Sequence, residues 1–278
     1  MRTGDQHQIY DYSAIVDRAP LPWPDGARVA LWVVPNIEHY EFGTRDGGID
    51  VPQMSRRDYA NRVGVWRVME VLDNYGIKGT VALNSAVCRH YPRVIEACLE
   101  RGWELMGHGI TNSQLQLGLS AEEERELIFG AVSEIRNASG QAVRGWLGPG
   151  LHETPRTLDL LKEAGVEYVC DFVNDDQPYR FRSGLYSIPY SNELNDMRLI
   201  REPVSGLSDF GLMLRNAFDT LYREGGRVIC IALHPFVLGT ASRIALLDEV
   251  LGYICGNSDV WRATGGEIID WYKGLSGA

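Results

Sequence analysis

The sequence lacks a hydrophobic run long enough to span a bilayer, and its first residues lack the apolar stretch of a secretory signal. It also lacks a basic patch, since its longest positive cluster is Arg56-Arg57 and the formal net charge of the 278 residues is -10. A nucleic-acid groove or a surface that binds anionic lipid needs the opposite sign of charge. We therefore expect no nucleic-acid partner, no membrane partner and a cytoplasmic location.

Paired cysteines are absent as well. The five cysteines are odd in number, widely spaced and without a C-x-x-C motif: Cys88, Cys98, Cys170, Cys230 and Cys255. Several lie in apolar runs such as residues 228–232, where a free thiol packs as a small hydrophobe. This usage fits a reducing cytoplasm.

Apolar strand-like runs alternate with amphipathic helical segments along the chain. Strands are predicted at 28–34, 79–83, 103–106, 144–147, 168–171, 185–188, 227–233 and 260–261, and helices at 58–75, 92–101, 120–138, 154–165, 209–223, 243–254 and near 268. Alternation at this length implies a parallel sheet, and closing it into a barrel removes its edges. We predict an α/β fold, a single distorted (β/α) barrel of seven or eight strands over residues 1–278, with 1–27 as an extended N-terminal arm.

The stretch 104–112 contains the clearest candidate for chemistry. A short strand breaks at Gly107-His108-Gly109, after a helix that Pro92 can open and Gly102 can close. A histidine between two glycines has little side-chain crowding and a permissive backbone around it. This setting suits an imidazole that meets a substrate, although a histidine that caps a turn is the alternative.

Other polar residues follow the remaining predicted strands, and in α/β barrels such positions meet at one mouth. They are Asn36 and Glu38 after the first strand, Asn84 after the second, His108 and Asn112 after the third, 148–150 after the fourth, Asp171 with Asp175 and Asp176 after the fifth, and His234 after the strand 227–233. Such a set can activate water with a carboxylate as base and an imidazole as acid. No serine or cysteine at these positions stands beside an obvious base, so a covalent nucleophile is disfavoured.

Each candidate has a structural alternative. Glu38 could form an ion pair with Arg45. For Asp175 and Asp176 a solvated turn is the favoured interpretation. His234 could be structural, although its place at the end of the most apolar strand favours function. We expect His39 to point outward, and His90 and His152 to lie at the surface. Several aromatic residues either line the mouth or fill the core: Tyr40, Phe42, Trp146, Phe172, Tyr179 and Tyr190.

The pattern of residues 72–84 followed by 92–109 resembles the polysaccharide deacetylase family, and the resemblance extends over nearly the whole chain. It implies a distorted (β/α) barrel and hydrolysis of N-acetyl or related C–N bonds by metal-bound water. The first family motif, two aspartates, falls on Asn36 and Glu38. The metal-ligand histidine pair falls on His108 and Asn112, a later arginine-and-proline motif on 144–150, and the late acid histidine on His234.

Three positions depart from that motif set: Asn36, Glu38 and Asn112. Only Glu38 and His108 remain as metal ligands, whereas catalytic zinc normally has three protein ligands. We therefore favour no cofactor, with zinc or another divalent metal left open. The departures and the loop 174–179 are similar to the metal-independent, allantoinase-type branch of the family, which opens cyclic ureides.

The resemblance thus implies a hydrolase of a non-peptide C–N bond in a small amide, cyclic imide or ureide. In this hypothesis Glu38 activates water, and His108 and His234 handle the proton and the oxyanion. Six residues are predicted to bind substrate: Asn36, Asn112, Arg144, Trp146, Asp171 and Tyr179. A metal-dependent de-N-acetylase of amino sugars and an inactive ligand-binding barrel are the alternatives, and a homo-oligomer is left open.

Overall fold

One curled sheet runs through the computed structural model, which describes residues 8–41, 51–201 and 206–276. Within these residues the strands are β1 (Val29–Ile37), β2 (Thr80–Leu83), β3 (Glu104–Gly107), β4 (Gly145–Trp146), β5 (Tyr168–Val169), β6 (Tyr179–Arg180), β7 (Tyr186–Ser187), β8 (Arg227–Leu233) and β9 (Val260–Arg262). Their order is β6-β7-β5-β4-β3-β2-β1-β8, with β9 also paired to β1. All pairs are parallel except β6 with β7.

Helices connect the strands, as the alternating pattern predicts. They are α1 (Val51–Tyr59), α2 (Val65–Asn74), α3 (Ala86–His90), α4 (Pro92–Glu100), α5 (Ala121–Ser139), α6 (Thr157–Glu163), α7 (Arg198–Arg201), α8 (Leu207–Glu224), α9 (Ile244–Cys255) and α10 (Gly265–Ser276). A π-helical turn, Ala60–Gly64, joins α1 to α2. The predicted helix start at residue 58 is therefore too late, and the short helices α3 and α7 were not predicted.

The helix ends show which local signals were reliable. Pro92 opens α4, and Ser120 with Glu123 forms the predicted capping box of α5. The predicted start at Thr154-Pro155 is wrong, because α6 begins at Thr157. Thr157 Oγ1 accepts a hydrogen bond from the backbone N–H of Thr154 at 2.8 Å, which holds residues 154–156 as a turn before the helix.

An extended segment, residues 190–197, lies along the edge strand β8. The backbone N–H of Ala232 donates to Leu194 O and that of Asp196 donates to Ala232 O, both at 3.2 Å. Asn195 and Ala232 form an isolated parallel bridge. The predicted distorted α/β barrel is confirmed, and the described residues contain nine strands, one or two more than predicted.

Strand alternation sorts the core into an inner and an outer layer. On β1, Ala30, Trp32 and Val34 belong to one buried cluster, whereas Leu31 and Val33 belong to the other. The first cluster also holds Trp23 of the N-terminal segment and faces the barrel interior. The second packs under the helices. Because side chains alternate, the residues that continue the inner set past the carboxyl ends of the strands enter one cavity.

The N-terminal segment lies against the body over its described part. Trp23 Nε1 donates to Arg227 O at 3.1 Å, and Arg18 forms an ion pair with Asp175 at 2.9 Å. The division into a single domain with an arm at 1–27 stays a prediction. All five cysteines are free thiols. In the described part of the chain, no helix has the length and apolarity that a bilayer crossing requires.

Candidate active site

Strand alternation brings the candidate residues to one cavity at the carboxyl ends of the strands. The inner positions of β1 continue through Asn36 to Glu38, those of β3 through Met106 to His108, and those of β8 through Ala232 to His234. The cavity has a volume of about 520 Å³. It is lined by Asn36, Glu38, Tyr40, Arg57, His108, Asn112, Leu115, Leu147, Gly148, Gly150, Leu151, His152, Tyr190, Asn192, Asn195, Met197, Arg201 and His234.

Glu38 lies at the base of this cavity and is 5% exposed. Its Oε1 accepts a hydrogen bond from Asn112 Nδ2 at 2.7 Å, and its Oε2 accepts one from Tyr40 Oη at 2.7 Å. The Nε2 atoms of His108 and His234 each lie 3.6 Å from Glu38 Oε1. This separation is too long for a direct hydrogen bond. It places both imidazoles around the same carboxylate oxygen.

Backbone contacts orient His108. Its Nδ1 lies 2.6 Å from Leu147 O, so Nδ1 carries a proton and donates to that carbonyl. In the neutral imidazole the other nitrogen, Nε2, is then an acceptor aimed toward Glu38. The flanking glycines have specific roles: a Cβ on Gly107 would lie 2.6 Å from the ring of Trp146, and Gly109 has a φ of +68°.

His234 lies between two carboxylates. Its Nδ1–H donates to Asp196 Oδ1 at 2.8 Å, while its Nε2 faces Glu38. Asp196 Oδ2 accepts the backbone N–H groups of His234 at 2.8 Å and of Leu238 at 3.3 Å. Burial lowers the pKa of His234, but the charges of Glu38 and Asp196 outweigh it and raise the pKa to about 9. His234 is therefore an imidazolium at neutral pH.

The same charges keep Glu38 ionised. Burial raises the pKa of Glu38, but the charge of the neighbouring His234 imidazolium outweighs it and holds that pKa well below its usual range. Burial and the Glu38 charge raise the pKa of Tyr40, so the phenol keeps its proton. Tyr40 Oη donates that proton to Glu38 and accepts from Asn112 Nδ2 at 2.8 Å.

Asparagines and a tyrosine complete the inner wall. Asn36 Nδ2 donates to Leu233 O at 3.1 Å and lies 3.4 Å from Tyr190 Oη, which joins the ends of β1 and β8 to the segment 190–197. Asn195 Nδ2 also donates to Tyr190 Oη, at 3.2 Å. The predicted positions of Asn36 and Asn112 in the site are therefore supported by the geometry.

The remaining predicted substrate contacts require correction. Arg144 precedes β4 and lies at the opposite, amino end of that strand, where it pairs with Glu167 at 2.8 Å and with Asp270. Trp146 is fully buried in the outer layer, because its alternation on β4 is opposite to that of Leu147, which lines the cavity. Neither side chain contacts the cavity.

Tyr179 and Asp171 lie to the side of the cavity. Tyr179 is on β6, where its Oη donates to Asn174 at 2.9 Å and its ring packs against Tyr10. Asp171 lines an adjoining cavity of about 450 Å³ and accepts the backbone N–H of Gly148 at 2.8 Å. Burial and the neighbouring Glu153 raise the pKa of Asp171. Of the two, only Asp171 is placed where a long substrate could reach.

The structure adds site residues that sequence reasoning missed. Asp196 lies in an irregular segment without periodicity, so nothing in the sequence marked it as the partner of His234. Arg57 lies on α1 and shows no spacing relative to the strand ends. His152, predicted at the surface, lines the cavity, whereas His39 points outward as predicted and stacks on His90 with 4.2 Å between ring centroids. Arg45 and Phe42 lie outside the described residues.

The donor set around Glu38 does not match a catalytic zinc site. Both oxygens of Glu38 accept hydrogen bonds from neutral donors, and Asn112 presents its Nδ2 at the position where the family resemblance expects a second metal histidine. Asn112 Oδ1 has no hydrogen-bond partner among the described residues, but a neutral amide oxygen is a poor zinc ligand. Within the described ranges no cluster of three His, Cys, Asp or Glu residues has metal-binding geometry.

Comparisons with known proteins agree with this architecture. Residues 57–169 match the sequence model of the family described as polysaccharide deacetylase. A protein of Schizosaccharomyces pombe named "Putative polysaccharide deacetylase" is 28% identical over 89% of this chain and 91% of its own length. The crystal structure of Puue allantoinase superposes with a TM-score of 0.85 at 27% identity, covering 95% of this chain and 98% of that one.

A crystal structure of a probable polysaccharide deacetylase from Pseudomonas aeruginosa PAO1 superposes with a TM-score of 0.84 at 27% identity. The superposition covers 92% of this chain and 95% of that one. The predicted relation to the polysaccharide deacetylase family is confirmed by these matches. The predicted class, a hydrolase of carbon–nitrogen bonds, is confirmed with it.

Proposed function

We propose that this relative of the polysaccharide deacetylases hydrolyses a C–N bond of a small cyclic imide, ureide or amide with water activated at Glu38. One observation carries the proposal: a buried carboxylate has two imidazole nitrogens 3.6 Å from the same oxygen, and one of those imidazoles is charged. This arrangement supplies a base and an acid side by side. A hydrolysis that breaks a C–N bond needs both.

The roles follow from which atoms carry protons. A water at the carboxylate hydrogen-bonds to Glu38 Oε1 and His108 Nε2, both of which are acceptors. As its oxygen attacks the carbonyl carbon, one proton passes to Glu38. His234 Nε2–H faces the developing oxyanion and then protonates the leaving nitrogen, after which the C–N bond breaks. His108 therefore holds the water rather than donating to the oxyanion.

The charges of Glu38 and His234 are coupled in a direction that favours this sequence. The imidazolium holds the pKa of Glu38 down in the resting enzyme. When His234 gives its proton to the leaving nitrogen, that effect disappears and the carboxylate becomes a stronger base. Loss of the acid proton thus helps Glu38 to retain the water proton that it has already accepted.

The lining polar groups support a ureide or imide over a polymer. Asn112 Oδ1 is a buried acceptor without a partner in the described part of the chain, and ureides and imides carry N–H donors that would satisfy it. The cavity volume of about 520 Å³ suits a small molecule. The similarity to the allantoinase structure supports the same substrate class.

The test is turnover of a panel of hydantoins, dihydropyrimidines, cyclic imides and N-acetyl amino sugars by protein prepared without added metal. Glu38→Gln should reduce kcat by at least ~10³-fold without changing the fold, because the amide cannot accept the water proton. Glu41→Gln is the matched control, since Glu41 is an exposed carboxylate three residues further on. Full activity of Glu38→Gln would remove the mechanism.

A metal-dependent de-N-acetylase of amino sugars is the second candidate, and the match of residues 57–169 to the deacetylase family favours it. It requires a stoichiometric divalent metal in the active protein and turnover of N-acetyl sugars rather than ureides. An inactive ligand-binding barrel requires binding without turnover in the same panel. A cytoplasmic location and a part in carbohydrate metabolism stay predictions.

A further inference from the structure

We propose that Arg57 is an anion-binding residue of this cavity and that the substrate is a C–N compound that carries a carboxylate. This inference rests on the proposed function for the reaction, but the binding of the carboxylate can be measured apart from turnover. The cavity would thus hold the scissile bond at Glu38 and an acidic substituent at the guanidinium.

The position of Arg57 is set by two aromatic rings. The guanidinium carbon lies 4.6 Å from the ring centroid of Tyr40 and 4.2 Å from that of Phe236. Tyr40 is hydrogen-bonded to Glu38, and Phe236 lies two residues beyond His234, so both rings belong to the immediate surroundings of the site. Rings on a guanidinium fix its plane and leave its N–H groups free to point along that plane.

One donor of this guanidinium has no partner in the part of the chain that the structure describes. Arg57 Nη1 is buried and makes no hydrogen bond to any residue that the structure describes, although the side chain lines the cavity. Arg67 on α2 differs in this respect, because its Nη1 is satisfied by the protein itself. It donates to Tyr59 Oη and to Gly239 O. A buried charged donor without a partner is costly unless a ligand supplies one.

The charge of the cavity points to an anion as that ligand. Among the lining residues that the structure describes, Arg57, Arg201 and the His234 imidazolium are positive, and Glu38 is the one carboxylate. The chain as a whole carries a formal charge of -10. Such an excess of positive groups in an acidic protein attracts small anions and repels cations. Arg57 is the more buried of the two arginines, because Arg201 is exposed.

The experiment compares two ligands that differ only in charge: hydantoin-5-acetate and its neutral amide, hydantoin-5-acetamide. Binding of each is measured by calorimetry on the Glu38→Gln background, where turnover is disabled. A charge-assisted contact of this kind predicts that the acetate binds roughly 10- to 100-fold more tightly. Arg57→Met should bring the ratio to about 1, and Arg57→Lys should leave an intermediate ratio because the charge remains without the planar fork.

Arg56→Met is the matched control, since Arg56 is exposed on the same helix and should keep the full ratio. Thermal unfolding of each variant identifies any that fail to fold. If Arg57→Met does not fold, the affinity ratio measured for Arg57→Lys decides the test. Equal affinity for both ligands, no binding of either, or loss of the ratio in Arg201→Met but not in Arg57→Met would each overturn the proposal. Carboxylate binding without turnover of any panel substrate would support the anion site and count against the proposed reaction instead.

Discussion

Replacing Asp196 with asparagine should move the alkaline limit of activity to lower pH. Asp196 Oδ1 accepts Nδ1–H of His234, and its Oδ2 accepts two backbone N–H groups. An asparagine has only one accepting oxygen. If that oxygen serves the backbone, its NH₂ group meets the imidazole nitrogen and forces the neutral tautomer with the proton on Nε2. If it serves the imidazole, the NH₂ group opposes two backbone donors.

The magnitude follows from the pKa of His234, which is raised from 6.5 to about 9. This difference corresponds to about 3 kcal/mol in favour of the imidazolium. At pH 8 about nine-tenths of His234 is protonated with a pKa of 9, but only about 3% with a pKa of 6.5, so a complete return would lower kcat/KM about thirtyfold at pH 8. At pH 6 most of the activity should return. Because Glu38 still raises the pKa of His234 in this variant, the thirtyfold decrease is an upper limit.

The assay is the pH profile of kcat/KM together with the titration of the His234 Cε1–H resonance. In wild-type protein both should give a value near 9, and in Asp196→Asn both should fall together. Asp159→Asn, an exposed change, controls for loss of one negative charge. If the variant loses activity equally at every pH and keeps its alkaline limb, Asp196 does not act through the charge of His234, and the acid role of His234 fails with it.

Three further predictions concern stability and metal. The raised pKa of His234 contributes stability that is fully present below pH 6.5 and lost as pH rises through about 9. In urea unfolding experiments, the free energy of unfolding should therefore decrease by about 3 kcal/mol as the pH rises through this interval, and the His234→Gln variant should not show this decrease. An equal decrease in both proteins would contradict the assignment. A Cβ on Gly64 would lie 2.0 Å from Pro235 O, so Gly64→Ala should lower Tm by roughly 4–8 °C, whereas Gly130→Ala, with its nearest neighbour at 3.9 Å, should not. Because the donors around the site do not fit zinc, treatment with a chelator should leave turnover unchanged, with elemental analysis to verify that the treated protein contains no metal. Activity that is lost with the metal and restored by zinc would support the de-N-acetylase instead.

Residues that directly follow a strand were the predictable part of this site. Glu38, His108 and His234 each continue the inner alternation of a buried strand, and parallel strands bring such positions to one edge. The two errors on β4 come from the same rule. Arg144 precedes its strand and so lies at the other end, while Trp146 alternates outward to fill the space that Gly107 leaves.

Residues outside regular strands could not be predicted in this way. Asp196 and Tyr190 lie in an extended segment whose contacts are with β8 and with Asn36, and no local periodicity identifies those partners. Arg57 reaches the cavity from a helix, and its place depends on two rings that are far apart in the sequence. Tertiary packing alone decides such contacts.

The segment 190–197 has a consequence for how this enzyme class can change. Tyr190, Asn195 and Met197 shape one side of the cavity, and Asp196 between them sets the charge of the acid. Substrate fit and working pH are therefore encoded in the same few residues. Exchanging residues 190–197 between related barrels should transfer both properties at once, and a lineage that adapts to a new compound there would alter its pH response as a by-product.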